Sequence, residues 1–114
     1  MLRKPLLVVH RPGELKINLS GVLVVKLPDG RIDDEPLVQS IKEQLMELVE
    51  QGGKKFVLDF SRVEFLGASA KGALITFNKA VGQVNGRVVM FGIRPNIAED
   101  LRITKLDNLF TIVR

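Results

Sequence analysis

The sequence predicts an α/β fold with a mixed, mostly parallel β-sheet of about four to six strands, an N-terminal antiparallel hairpin and about four helices. Short runs of Val, Ile and Leu alternate with segments whose apolar residues recur at helical spacing. The chain has 114 residues, 46% of them hydrophobic and 26% charged, a balance typical of one globular domain. We therefore expect a single domain over residues 1–114.

The N-terminal part of the chain predicts two or three strands. PLLVVH at residues 5–10 and LKINLSGVLVVKL at residues 15–27 are rich in β-branched and aliphatic residues. RPGE at residues 11–14 supplies turn chemistry between them. An antiparallel hairpin follows from two such strands joined by a short turn.

The next segment predicts a helix of about four turns beginning near Leu37, followed by a strand. Asp33, Asp34 and Glu35 come before it, where the helix dipole favours acids, and Gly52 closes it. Its apolar positions recur on one stripe at Leu37, Ile41, Leu45, Leu48 and Val49. KKFVLDF at residues 54–60 predicts a strand buried on both faces.

The second half of the chain repeats this alternation. ASAKGALITFNKAVG at residues 68–82 predicts a helix, and GRVVMFGI at residues 86–93 predicts another buried strand. A helix is expected to begin near Pro95, and residues 105–114 predict a short helical turn before a terminal strand. In sheets of this kind, sites gather beyond the carboxyl end of a central strand, where EFLGASAKG at residues 64–72 lies.

Composition excludes several kinds of site. The absence of cysteine removes disulfides, thiolate metal sites and thiol catalysis, and the lone His10 cannot build a metal cage. The acids at residues 33–35 lack the loop pattern of an oxygen-ligand cation site. We therefore expect no metal and no cofactor.

Two further observations bear on location. The apolar run at residues 6–9 is shorter than the hydrophobic region of a signal peptide, which is about 7 to 15 residues long. The sequence has no apolar stretch of about 18 residues that would span a membrane. We expect a cytoplasmic protein.

The charge balance bears on partners. The formal net charge of +4 and the pI near 9.7 would suit nucleic acid or an anionic membrane surface. The basic residues are scattered singly or in pairs, however, and Tyr and Trp, the usual stacking platforms, are absent. The sequence therefore predicts nucleic-acid binding only weakly.

Three stretches, in order, resemble the STAS domain family, the fold shared by bacterial anti-sigma factor antagonists and the cytoplasmic tails of sulfate transporters. GRID at residues 30–33 is similar to the family's Gly-Glu-Leu-Asp turn. FVLDFSRVEFLGASAKG at residues 56–72 resembles the central signature, in which Val-Leu-Asp-Leu-Ser is followed by Phe-Met-Asp-Ser-Ser-Gly-Leu-Gly. LRITKLDNLFTI at residues 101–112 resembles the C-terminal leucine pattern, so the resemblance covers nearly the whole chain.

The resemblance implies a phosphorylation site. The serine that a partner kinase phosphorylates in anti-sigma factor antagonists falls on Ser69, and the final glycine of the signature falls on Gly72. The chain departs from the signature around that serine. The family's aspartate and first serine fall on Gly67 and Ala68, and its next glycine and leucine fall on Ala70 and Lys71.

Residue chemistry leaves two interpretations of each of these positions. Ser69 is either a phosphoacceptor held at the positive end of a helix, or an N-cap that stabilises the helix by about 0.5 to 2 kcal/mol. Lys71 is either a partner for a phosphate or a solvated first-turn side chain. Asp33 is either the aspartate that the family places beside its serine, or a helix N-terminal charge worth about 0.3 to 1 kcal/mol.

The resemblance predicts a non-catalytic module that binds a kinase-type anti-sigma factor and so regulates transcription by a sigma factor. The expected contact residues are Arg31, Asp33, Gly67, Ala68, Ser69, Lys71 and Gly72.

Three alternatives stay open. The chain could be a structural STAS subunit of a larger stressosome-like or transporter-associated assembly without a phosphoswitch. For either function, a homodimer or a larger assembly stays open. The second alternative is hydrolytic chemistry at the same loop, which is disfavoured because the sequence offers no base beside Ser69. Weak binding of a nucleotide at the helix start is the third alternative.

Overall fold

The computed structural model describes residues 7–10 and 21–113, apart from the side chain of His10, and within them strands and helices alternate. The predicted turn at residues 11–14 and the first part of the predicted strand at residues 15–20 lie outside the described residues. The helices are α1 (Glu35–Glu50), α2 (Ala68–Gln83) and α3 (Pro95–Ile103), and a 3₁₀ turn spans Leu106–Asn108. The strands are β1 (Val8–His10), β2 (Val22–Lys26), β3 (Gly30–Ile32), β4 (Lys55–Asp59), β5 (Val63–Leu66), β6 (Arg87–Phe91) and β7 (Thr111–Val113).

The main sheet has five strands in the order β1-β2-β4-β6-β7. Strand β1 runs antiparallel to β2, while each remaining pair of neighbours is parallel. The register places Leu23, Phe56 and Val88 side by side across the central strands. The predicted mixed sheet with its antiparallel N-terminal hairpin is confirmed.

The main sheet is wound in a single direction, and this determines where the helices lie. From β2 onward, each parallel strand of the sheet is added on the same side of the one before it. Because crossovers between parallel strands are almost always right-handed, α1, α2 and α3 all lie over one face. The opposite side of the main sheet is called here the open face.

This winding explains a wrong prediction. The sequence predicted a strand at residues 54–60 that is buried on both faces. In β4, however, only Phe56 and Leu58 are buried, while Val57 between them is partly exposed on the open face. Continuous burial needs helices on both sides of a sheet, and here the crossovers cover one side.

The helical face carries the core. Phe56 of β4 and Phe77 of α2 meet edge to face, with ring centroids 5.0 Å apart and ring planes at 74°. Both rings are at most 1% exposed. Helices α1 and α2 pack against each other above this pair, so the two central helices share one apolar layer with the sheet.

Helix α1 begins two residues earlier than Leu37 because Asp34 caps it. The Asp34 carboxylate accepts a hydrogen bond from the backbone N–H of Leu37 at 3.0 Å. The helix ends where predicted, since Gly52 follows it with φ +99°, a conformation that favours glycine. In the part of the chain that the structure describes, no helix combines the length and the apolar character needed to cross a bilayer.

Candidate functional site

A second, two-stranded sheet lies beside the start of α2. Strand β3 pairs in parallel with β5, so that Arg31 is the neighbour of Phe65 and Ile32 the neighbour of Leu66. Residues 30–33 were predicted as a turn, which is wrong for Gly30–Ile32. Because α2 follows β5 after one residue, this sheet brings β3 to the first turn of the helix.

Gly67 joins β5 to α2 and lies against Asp33. Its backbone N–H donates to the Ile32 carbonyl at 2.9 Å. A Cβ on Gly67 would come within 2.8 Å of the Asp33 Cβ and 3.0 Å of the Asp33 Cα. Glycine therefore permits a close approach that a side chain would prevent, and the departure from the family's aspartate has a local steric reason.

Arg31 is an exposed, positively charged residue of β3 that lies beside Asp33. Its guanidinium stacks over the Phe65 ring, with Cζ 4.1 Å from the ring centroid, and its Nε donates to Asp33 Oδ2 at 3.2 Å. The Arg31 side chain is 61% exposed, so the ion pair with Asp33 contributes little to stability. Arg31, Asp33 and Phe65 thus form a polar and aromatic cluster open to solvent, which we call the Arg31 cluster.

Ser69 is the second residue of α2 and is partly buried. The N-cap interpretation is wrong, because the cap position is Gly67, which provides no side-chain hydrogen bond. Within residues 7–10 and 21–113, the Ser69 hydroxyl has no hydrogen-bond partner. The first intrahelical bond runs from the Lys71 N–H to the Gly67 carbonyl at 3.1 Å. The N–H groups of residues 68–70 are therefore without intrahelical acceptors.

Lys71 points away from Ser69. Residues two apart on a helix do not face each other, and the Lys71 ammonium lies 2.6 Å from Asp100 Oδ2 on α3. Its side chain is 15% exposed. Both interpretations of Lys71 from the sequence are thus replaced: it ties α2 to α3.

Helix α3 has one further attachment and one surface pair. The Asn96 side chain donates to the Glu64 carbonyl of β5 at 2.9 Å, and Lys71 holds the same helix from α2. On the outer surface, the hydrogen bond from Arg102 lowers the pKa of the Glu99 carboxyl. Sequence reasoning missed Phe65, Asp100 and Asn96, since their partners lie far away in the chain or on short strands.

The Lys71–Asp100 pair is expected to show measurable coupling in a double-mutant cycle. We expect Lys71→Met and Asp100→Asn to couple by about 0.5 to 1 kcal/mol, because the pair is only partly shielded from water. Urea unfolding of both single variants and the double variant measures the coupling. The exposed pair of Glu99 and Arg102 is the matched control and should couple less; equal coupling in the two cycles would contradict the assigned role.

The family model of the STAS domain matches residues 18–114, well over half of the chain. This chain belongs to the STAS domain family. The three motifs noted in the sequence, and the β5–α2 junction, all lie within the matched residues.

Individual STAS relatives are distant in sequence. BtrV of Bordetella bronchiseptica, whose name places it among anti-sigma factor antagonists, is 22% identical over 95 residues, or 83% of this chain and 80% of BtrV. An anti-sigma factor antagonist from Mycobacterium paratuberculosis is 24% identical, with a TM-score of 0.71, over 93% of this chain and 84% of that one. Both are bacterial proteins that carry the name anti-sigma factor antagonist. This STAS domain is similar to the first in sequence and to the second in fold.

SpoIIAA of Bacillus shares the fold in two states. Its unphosphorylated form matches with a TM-score of 0.69 and 16% identity, over 95% of this chain and 87% of that one. Its phosphorylated form gives a TM-score of 0.67, also at 16% identity, over 95% of this chain and 91% of that one. These likenesses show that this chain has the STAS fold.

The structure gathers most of the predicted contact residues and separates one. Arg31, Asp33 and Gly67 lie together, with Ser69 two residues further along α2. Lys71 instead faces α3, as described above. The two remaining predicted residues, Ala68 and Gly72, are exposed in the first turns of α2.

Proposed function

We propose that this STAS domain is a non-catalytic anti-sigma factor antagonist in the cytoplasm. It binds a serine-kinase-type anti-sigma factor and thereby frees a sigma factor. The contact surface consists of the Arg31 cluster together with Gly67, Ala68, Ser69 and Gly72 on the first turns of α2. Support comes from relatives of the same family that carry the name anti-sigma factor antagonist.

The observation that carries this proposal is the unbonded hydroxyl of Ser69 at the start of α2. Its hydroxyl lies in the first turn of α2 and, among the described residues, has no hydrogen bond to lose on modification. The helix start offers unbonded N–H groups and the positive end of the helix dipole, which favour an anion. A phosphate on Ser69 is thus compatible with the local fold.

Phosphorylation would change the charge of the contact surface. Arg31 and Asp33 balance each other, so the cluster carries no net charge before modification. A phosphoserine adds a charge of about −1.5 to −2. A partner adapted to the neutral surface would then meet repulsion and a higher desolvation cost, and binding would be switched off.

The phosphorylation test is direct. Incubation with the kinase-type anti-sigma factor and ATP should add one phosphate, which intact-protein mass spectrometry detects. Ser69→Ala should take up none. A phosphate placed on another serine, or none on wild type, would contradict the assignment of Ser69.

The binding test uses a phosphate mimic. We expect Ser69→Asp to weaken binding of the anti-sigma factor about tenfold or more, because the new charge lies inside the contact surface. Thr76→Asp is the matched control: Thr76 is exposed about two turns further along α2 and should leave the affinity nearly unchanged. Isothermal titration calorimetry gives both affinities, and an equal loss in the two variants would speak against a local switch.

A second candidate function is a structural STAS subunit without a phosphoswitch, built into a larger signalling or transporter-associated assembly. The observation that favours it is Gly67, where the family's acidic residue is missing and where a side chain would force Asp33 to shift. Light scattering after size exclusion separates the two functions. A switch is expected as a monomer or dimer, and a structural subunit as a larger particle.

A further inference from the structure

The open face of the main sheet has an apolar centre. Val24, Val57 and Val89 are register neighbours on β2, β4 and β6, and each is partly exposed. The row toward the carboxyl ends of the parallel strands adds Phe91, which is 44% exposed. The edge strands contribute Val8 and Val113 to the same row, as 54% and 43% exposed side chains. Large exposed apolar patches rimmed by polar residues mark interaction sites on soluble proteins.

Basic residues flank this apolar centre on two sides. Lys55 and Arg87 are register neighbours on β4 and β6 and are exposed, while Lys26 lies at the other end of β2. Across the described part of the chain, none of the three has an ion-pair partner. Like charges opposite each other on neighbouring strands destabilise a sheet, so the chain keeps a repulsive pair beside an apolar surface.

Among the strand residues described on this face, Asp59 is the only acid, in the row of Lys26 and Phe91. Its carboxylate already accepts a hydrogen bond from the Ser61 N–H at 2.9 Å. Three cations against one engaged carboxylate leave the open face positive. A complementary partner is therefore apolar in its centre and acidic at its margins.

We propose that the open face is a second docking surface, separate from the surface around Ser69, and that it binds an acidic amphipathic helix of a partner protein. A helix suits a sheet face because the strands beneath already pair with each other, so the partner must satisfy its own backbone groups. The five residues of β4 extend about 17 Å, which corresponds to about 11 residues of helix. Such a helix rests on Val57, with its acids beside the flanking cations.

Charge and aromatic content argue against other occupants of the open face. Residues 1–6 and 11–20, which lie outside the described ranges, are basic on balance, with Arg3, Lys4, Arg11 and Lys16 against Glu14. A second copy docked face to face would bring cations onto cations. Single-stranded nucleic acid would lack stacking partners, because among the described side chains of this face Phe91 is the single aromatic one.

The test is a nuclear magnetic resonance titration of the ¹⁵N-labelled full chain with a synthetic helical peptide of about 14 residues. The peptide carries a leucine stripe flanked by glutamates, and a control peptide has lysine at every glutamate position. We expect the acidic peptide to shift the amide signals of Val24, Val57 and Val89. The lysine peptide should leave these signals unchanged.

Charge reversal makes the test specific. The double variant Lys55→Glu with Arg87→Glu should weaken binding of the acidic peptide about tenfold or more. The matched control is Lys79→Glu with Lys105→Glu, which changes the net charge equally at exposed positions on α2 and after α3. That control should bind the peptide with the affinity of wild type. Its thermal unfolding midpoint should also match that of wild type, which would show that the change in net charge alone does not alter the fold.

Several results would overturn the proposal. Acidic-peptide binding that ignores the reversal at residues 55 and 87, or no shift at the three valines, removes the docking surface. Tighter binding to phosphatidylglycerol vesicles or to a DNA duplex at the same residues reassigns the face to an anionic surface. Self-association that blocks the peptide reassigns the face to a second copy.

Discussion

Replacing Phe77 by alanine is expected to lower the free energy of unfolding by about 3 to 5 kcal/mol. The ring is fully buried and meets Phe56 edge to face at 5.0 Å, so truncation removes apolar burial, an aromatic contact and the filling of the layer between α2 and the sheet. Urea unfolding followed by far-ultraviolet circular dichroism measures the loss. Because the domain is small, this change removes a large share of its stability.

Phe91→Ala is the control for that prediction. The same side chain is deleted from β6, but Phe91 is 44% exposed on the open face, and we expect a loss of about 1 kcal/mol or less. Equal losses in the two variants would contradict the one-sided core. A large loss for Phe91→Ala would instead show that the open face is buried in the free protein.

Replacing Gly67 by aspartate, the residue that the STAS signature carries there, is expected to cost about 1 to 3 kcal/mol. The new Cβ would lie 3.0 Å from the Asp33 Cα, which is backbone and cannot rotate away. The hydrogen bond from the residue 67 N–H to the Ile32 carbonyl would weaken as β3 shifts. The change also places a second carboxylate beside Asp33, adding repulsion that salt screens.

Two further variants separate the causes. Gly67→Ala keeps the steric contact without the charge, so its cost should be independent of salt. The difference between the costs of Gly67→Asp and Gly67→Ala measures the carboxylate and should shrink as salt is added. Gly72→Ala is the matched control in the same helix, since nothing lies within 4 Å of a Cβ there, and should stabilise by about 0.5 to 1 kcal/mol. Gly67→Ala as stable as wild type would show that Asp33 moves freely.

The alternation of strands and helices could be predicted because apolar spacing reports burial directly. Leu45 and Leu48 of α1 and Phe56 and Leu58 of β4 are buried, as their patterns indicated. The burial of only one sheet face could not be predicted, because valines such as Val57 are equally compatible with a covered and an uncovered strand. That difference depends on the direction in which successive strands are added.

The site was harder to predict than the fold. Ser69 and Asp33 could be found through the family motifs, whereas the β3–β5 pair carries exposed Arg31 and Phe65 on strands too short for a periodic signal. The role of Lys71 depends on a carboxylate 29 residues away. Such a pairing is a property of the tertiary fold, and nothing in the local sequence indicates it.

The strand order has a consequence for connecting the two ends of the described fold. Val8 begins β1 and Val113 ends β7, and both lie in the row of Lys26 and Phe91 at opposite edges of the sheet. Four inter-strand spacings separate them, about 19 Å. A linker of about six to eight residues therefore spans the gap, so a circular permutant of this domain needs only a short connection between its original ends.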